Sequence, residues 1–182
     1  AQVYLTASNN STISGGASIG VPPKSSVTLD ITLNDSLWSV VRNPIAYYKD
    51  SSVNNLYLNN STVNLVKSND SFHTFTIYND LSGNGNFTLN TDLANQQSDK
   101  IIVKGSDSGS FGLNIKDSGN EPNAANGKVT LVETATGTAQ FALLGKDYVD
   151  AGAYRYRLNQ EGNNWVLSNN AGESSKAAPQ PV

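Results

Sequence analysis

The residues able to do chemistry in this chain are few and scattered. His73, in the stretch FHTFTIY, is the only histidine, and there is no cysteine. A nitrogen- or sulfur-based transition-metal site needs several such ligands, so none is expected; a Ser-His-Asp triad would have to be built on His73, and no nucleophile elbow of the G-x-S-x-G type is expected beside it. The plainer expectation is a strand histidine without chemistry. Two Asp-Ser-Gly triplets, at residues 107–109 and 117–119, carry the wording of an aspartic protease. That chemistry requires two carboxylates about 3 Å apart sharing one proton, normally supplied by two lobes. With one strand between them, Asp107 and Asp117 are expected at its opposite ends, as turn residues. DLSGNG, at residues 80–85, imitates the first half of a calcium-binding EF-hand loop, but Thr91 stands where the bidentate glutamate belongs. A β-turn is expected there. Tyr47, Tyr48 and Tyr57 are candidates for an aromatic platform that takes a sugar or a partner protein. A polysaccharide-cleaving site would need carboxylates, lysines or arginines gathered on one face, whereas the acidic residues here come one at a time between apolar segments. The expectation is a non-enzymatic protein without cofactor or metal.

Composition narrows the class further. A chain of 182 residues can bury a sizeable core. Only 15% of residues are charged and the net charge is −3, which gives neither the basic footprint of a nucleic-acid binder nor a polybasic membrane patch. No run approaches the ~20 apolar residues of a membrane span. Neither Cys nor Met occurs. The missing initiator Met implies a piece of a longer polypeptide, and the lack of disulfides suits a chain threaded unfolded through a pore. Asn, Ser, Thr and Gly take the place of Lys, Glu and Ala, which disfavours helices.

What must position any site is a series of short alternating segments divided by Gly, Asn, Asp or Ser. VTLDITL, LWSVV, NLYLN, TVNLV, FHTFTIY, NFTLNT, KIIVKG, GLNIKD, KVTLVET and AQFALL succeed one another about every dozen residues. Two or three per coil would repeat every ~20–25 residues, as in a solenoid, whereas a propeller blade needs ~40. A β-sandwich is the structural rival. Asn and Ser inside or beside the strands favour stacked parallel coils, in which carboxamides form ladders and Asn accepts left-handed corners. The expected fold is all-β, a right-handed parallel β-helix.

The final pair, AYRYRL and NWVLSN, is the bulkiest. Tyr154, Tyr156 and Leu158 alternate onto one face and Arg155 and Arg157 onto the other, while Trp165 and Leu167 answer after an EGNN turn. A solenoid is open at its ends, so its terminal repeats must act as caps. Phe141, Leu143, Tyr154, Tyr156, Leu158, Trp165 and Leu167 are expected to form the folding core of such a cap, an antiparallel hairpin or small sandwich. The arginines would keep its outer face soluble.

Five motifs in order carry a resemblance: SDKIIVKG, SGSFGLNIKDSG, VTLVETATGTAQFAL, VDAGAYRYRL and NWVLSN. Together with LYLNNSTVNL and FTIYNDLSGNGNFTLNTDL upstream, they resemble the pertactin-like stem, or autochaperone region, at the C-terminal end of autotransporter passenger domains. The resemblance covers about residues 55–169, and residues 1–54 share only its general character. It implies β-helical coils over residues 1–97, a capping autochaperone module over residues 98–169, and a flexible linker from residue 170 to residue 182. The implied partners are upstream passenger coils and a downstream outer-membrane β-barrel of the same polypeptide. The implied location is the surface of a Gram-negative cell, or the medium. The implied function is a non-catalytic stem that nucleates β-helix folding during secretion. The alternative is an adhesive or self-associating module that binds host surfaces or other cells.

Overall fold

The computed structural model describes residues 1–19, 26–43, 45, 47–69, 71–169 and 173–175. Alternation sets the local structure of each segment. In TLDITLN, Ile31 and Leu33 are buried while the residues beside them stay half-exposed, so one face of the strand turns to a core and the other to water.

Strands β1 (Gln2–Ala7) and β2 (Thr12–Ser14) form two sides of the first coil. The second coil has three sides, β3 (Thr28–Asn34), β4 (Leu37–Val40) and β5 (Ser52–Val53). In the third, β6 (Asn55–Leu65) runs through a corner and β7 (Thr74–Ile77) closes the coil. The fourth repeats this course with β8 (Leu81–Asp92), then the short β9 (Gln97–Ser98) and β10 (Lys100–Val103). The fifth holds β11 (Ser110–Asp117) and β12 (Lys128–Thr134). β13 (Gln140–Leu143) opens a further coil that does not close. The chain turns back instead into the antiparallel strands β14 (Val149–Ala151), β15 (Tyr154–Glu161) and β16 (Asn164–Ser168).

Like sides stack in parallel, giving a prism with three faces. One face holds β1, β3 and the first halves of β6 and β8, and the next holds β2, β4, the second halves of β6 and β8, β11 and β13. The third face holds β5, β7, β10 and β12, onto which β16 and then β15 are added in antiparallel fashion. The fold is thus an all-β parallel β-helix closed by an antiparallel hairpin. Hydrogen bonds between adjacent coils commonly join residues 24 to 26 apart, as from the Asn60 N–H to the Asn84 side chain and from the His73 N–H to the Asp99 side chain. In the last coil Ser110 pairs with Gln140, and the longer repeat is taken up by the polar loop at residues 118–127.

Asn sits where the backbone must enter the left-handed region. Asn10, Asp35 and Asn60 have φ values of 60°, 46° and 47° and stack at one corner. The Asn60 carboxamide donates to Asp35 Oδ1 at 2.8 Å, and the Asn60 N–H donates to Asn84 Oδ1 at 2.7 Å. A second ladder runs Asp30–Asn55–Asp80: Asn55 donates to Asp30 at 2.9 Å and accepts from the Asp80 N–H at 3.0 Å. These ladders satisfy corner N–H groups that lie outside the sheet pairing. In the fourth coil glycines take over. A Cβ at Gly85 would stand 2.2 Å from the Ser61 carbonyl oxygen. Residues 81–85 therefore continue as strand through the corner, not as the expected β-turn. Similarly, NLYLN and TVNLV are one strand bent at Asn60, and His73 precedes β7 instead of lying within it.

Inside, aligned side chains make columns. Trp38, Val63, Phe87, Leu113 and Leu143 are successive ladder partners, as are Phe75, Ile101, Val132 and Trp165. The core formed by these columns continues across residue 98.

Candidate functional site

The C-terminal end of the prism gathers the residues expected to form a cap. Rings descend the core in steps: Phe87 to Phe111 at 5.7 Å, Phe111 to Phe141 at 5.5 Å and Phe141 to Trp165 at 5.6 Å between centroids. Trp165 arrives from β16, which pairs with β12 in the register Val129–Leu167, Thr130–Val166 and Val132–Trp165, with a bulge between the last two pairs. Strand β15 then covers β16, with Leu158 opposite Leu167 and Gln160 opposite Trp165. Phe141, Tyr156, Trp165 and Leu167 are buried in the common core, and Leu143, Tyr154 and Leu158 pack on it half-buried. Burial pushes the Tyr156 phenol above its ordinary pKa, and its hydroxyl faces Gly127, where a Cβ would stand 2.8 Å away. Phe87 and Phe111 are further members of the stack. Their recurrence at about one coil's spacing, from 87 to 111 to 141, is the sequence signal that marks them.

The outer face of the hairpin is an ordered charge cluster as well as a solvated surface. A two-residue turn at Gly152 and Ala153 sets Asp150 opposite Arg155, and the pair is bidentate at 2.9 and 3.1 Å. The Arg155 guanidinium lies 3.6 Å from the centroid of Tyr148, with Lys146 and Arg157 farther out over the same ring. Arg157 reaches Asp147 at 2.9 Å and grips Glu173 with two bonds of 2.9 and 2.8 Å. Hydrogen bonds from Arg157 hold the Glu173 carboxyl below the usual carboxylate range. Glu173 to Ser175 fall in the stretch expected to be linker, yet they are fastened to β15: Glu173 accepts from the Arg155 N–H, and the Ser175 N–H donates to the Ala153 carbonyl.

Polar side chains inside the prism serve its backbone. His73 is buried, and its Nε2 accepts the Ser51 N–H at 3.0 Å, which places the ring proton on Nδ1. Its own N–H donates to Asp99 Oδ1 at 2.7 Å, while Asp99 Oδ2 accepts from the Asn90 backbone and carboxamide, each at 2.7 Å. Burial lowers the His73 pKa and raises that of Asp99. Asp107 is likewise buried and accepts from Thr136 Oγ1 and the N–H groups of Gly137 and Ala139. Asp117 accepts from Thr91 Oγ1 and from the Leu93 N–H. Asp107 precedes β11 and Asp117 ends it, so they occupy opposite ends of one strand. They do more than mark turns, since each closes a corner between coils. The expectation that the G-x-S-x-G spacing of a nucleophile elbow is absent is corrected by GASIG at residues 16–20, which carries it. There the Ala17 and Ile19 N–H groups donate to the hydroxyls of Ser51 and Ser52, and the His73 nitrogen that a base would use already accepts a backbone N–H. Among the described residues, no group of three or more His, Cys, Asp or Glu is placed to hold a metal ion.

The tyrosine platform divides. Tyr47 and Tyr48 form an edge-to-face pair at 5.0 Å on the loop between β4 and β5, with Tyr47 92% exposed. Ile45 beside them is 93% exposed. Tyr57 lies instead on β6, its ring against Gly83, and makes no ring pair with the other two. At the other end of the prism, β1 pairs only with β3 among the described strands and exposes Val3, Tyr4 and Leu5 by 47%, 67% and 40%.

Comparison with known proteins matches residues 53–169 to the family model described as Pertactin. The chain is 39% identical over 124 residues to the autotransporter adhesin/invasin TibA of Escherichia coli O78:H11, an alignment covering 65% of this chain and 12% of that protein. It is 36% identical over 128 residues to an immunoglobulin A1 protease autotransporter of Haemophilus influenzae, covering 66% of this chain and 7% of the protease. Among solved structures, the Haemophilus influenzae Hap adhesin superposes with a TM-score of 0.74 at 29% identity, over 92% of this chain and 17% of the adhesin. The chain therefore spans about a tenth of the length of the curated relatives it matches.

Proposed function

The chain belongs to the pertactin family of autotransporter passengers, and from that premise we propose that it is a non-catalytic stem whose C-terminal module, residues 98–169, nucleates β-helix folding during export to the cell surface. One observation carries this reading: the parallel stack is closed at its C-terminal end by a ring stack and an antiparallel hairpin. Phe141 and Trp165 complete the ring stack there, and β16 and β15 add to β12 in antiparallel fashion. A solenoid folds by nearest-neighbour propagation from a nucleus whose formation is the slow step. A finished C-terminal end supports growth in one direction, with upstream coils adding on the N-terminal side as they emerge. A downstream outer-membrane β-barrel would anchor the other side.

The shared segment also recurs in proteins whose names describe different activities, an adhesin/invasin and immunoglobulin A1 proteases. A common role in export fits that distribution better than an activity particular to either. The test is secretion of the full-length passenger carrying Tyr154→Ala, Tyr156→Ala and Trp165→Ala. Surface-exposed but protease-sensitive passenger, rescued by the intact segment added in trans, is the expected result. Normal folding of that variant at the surface would overturn the proposal.

A second reading, an adhesive or self-associating module, is favoured by the loop between β4 and β5, where Ile45, Tyr47 and Tyr48 stand exposed together. Exposed apolar clusters of this kind mark interaction surfaces. Binding of cells or of itself by the isolated chain, lost in Tyr47→Ala and Tyr48→Ala, would establish it.

A further inference from the structure

We propose that residues 173–175 are a strap, a short extended segment of the cap that recognises the first half of β15 in cis and closes its open edge. The argument begins with register. Strand β16 runs along β15 from Glu161–Asn164 to Arg157–Ser168, and there its pairing stops. The first half of β15, Tyr154 to Tyr156, pairs on its other side with β14. Without a further neighbour, its remaining edge would present unpaired backbone groups, the feature that invites strand addition by another chain.

The chain after β16 returns to this edge. Residues 170–172 lie outside the described part, and beyond them Ser174 forms an antiparallel bridge with Tyr154. The Arg155 N–H donates to the Glu173 carbonyl at 2.8 Å and the Ser175 N–H to the Ala153 carbonyl at 3.0 Å. Side chains fix the return. Asn169 is buried, and its carboxamide donates at 2.8 Å to the carbonyls of both Arg155 and Glu173, spanning the two segments. Ser175 Oγ donates to the Gly152 carbonyl at 2.8 Å. Glu173 then inserts its carboxylate into the two-bond grip of Arg157, a geometry that selects a carboxylate over other side chains. The Arg157–Glu173 pair is part-exposed, so its weight is modest alone and depends on salt. The backbone bonds supply the rest.

This strap lies beyond residue 169, where the family match ends, and it stands whether or not the capped end nucleates folding. The surface it covers is specific for an extended segment with a carboxylate two residues before its last backbone donor.

The test compares the 182-residue chain with Glu173→Gln, with Ser175→Pro, with a chain ending at Asn169, and with Glu161→Gln as a control ion-pair change distant from the strap. The urea midpoint is read at low and high salt, and association is read by sedimentation over a range of concentrations. The expected results are a lower midpoint for Glu173→Gln with loss of its salt dependence, a lower midpoint for Ser175→Pro, and concentration-dependent association of the chain ending at Asn169. Glu161→Gln is expected to leave the midpoint unchanged. Wild-type midpoints for both Glu173→Gln and Ser175→Pro, with the shortened chain monomeric, would overturn the proposal. The two point variants leave the core intact and so decide the matter even where the shortened chain does not fold.

Discussion

The middle coils of this prism and its C-terminal end hold their neighbours in different ways. In the middle, β6 pairs in parallel with β3 and β4 on one side and with β8 on the other. At the C-terminal end, the parallel stacking gives way to antiparallel strands, four rings close the core, and arginines on the outer face are paired with carboxylates. The difference teaches where stability is concentrated. A coil in the middle is held from both sides, and the closed end takes its second neighbour from its own hairpin.

The largest test of that contrast empties the closed end. Phe141→Ala or Trp165→Ala removes a buried ring and is expected to cost about 3–5 kcal/mol in urea unfolding. A loss below ~1 kcal/mol would erase the contrast. Next comes the backbone. Gly109 has φ +98° and a Cβ there would stand 1.9 Å from the Gly83 carbonyl oxygen, whereas Gly145 has φ +82° with open space around it. Gly109→Ala should cost about 3 kcal/mol and Gly145→Ala about 1, the difference being the clash between coils.

A pH titration probes the middle of the prism. Burial lowers the His73 pKa from 6.5, so the unfolded chain takes up that proton first. The stability tied to neutral His73 is full above pH 6.5 and is lost as pH falls through the lower folded-state value. Asp99, raised by burial from 3.8, works in the opposite sense, its folded form favouring the proton. His73→Gln keeps an acceptor for the Ser51 N–H and should flatten the fall in stability between pH 7 and pH 5; an unchanged slope would assign it to other groups. The smallest effect is expected at an exposed side chain, where Tyr4→Ala should change stability by no more than about 0.5 kcal/mol.

Much of this architecture is legible in the sequence, for physical reasons. Leu33, Leu58, Val63 and Leu65 alternate with polar neighbours because one face of each strand meets a core, and the strand expectations follow from that alone. Asn at the corners is legible because few residues tolerate φ near 50°. The cap is legible because bulky alternation in AYRYRL has nowhere to go but onto an open end. Other features depend on distant partners. Residues 80–85 read as a turn, since Gly and Asn mark turns locally, but the next coil holds them in a ladder. Asp107 reads as a turn residue, yet corner N–H groups draw it inside, as they do Asp99. Glu173 sits in a low-complexity stretch, and only the register of β15 shows why it is fastened.

The most direct test of the central claim is pulse-labelled hydrogen exchange during refolding of the 182-residue chain. The amides of β12, β13, β15 and β16 are predicted to become protected first, those of β10 and β8 next, and those of β3 and β1 last. Protection of β1 and β3 before β12 and β16, or simultaneous protection of all coils, would contradict folding from the closed end.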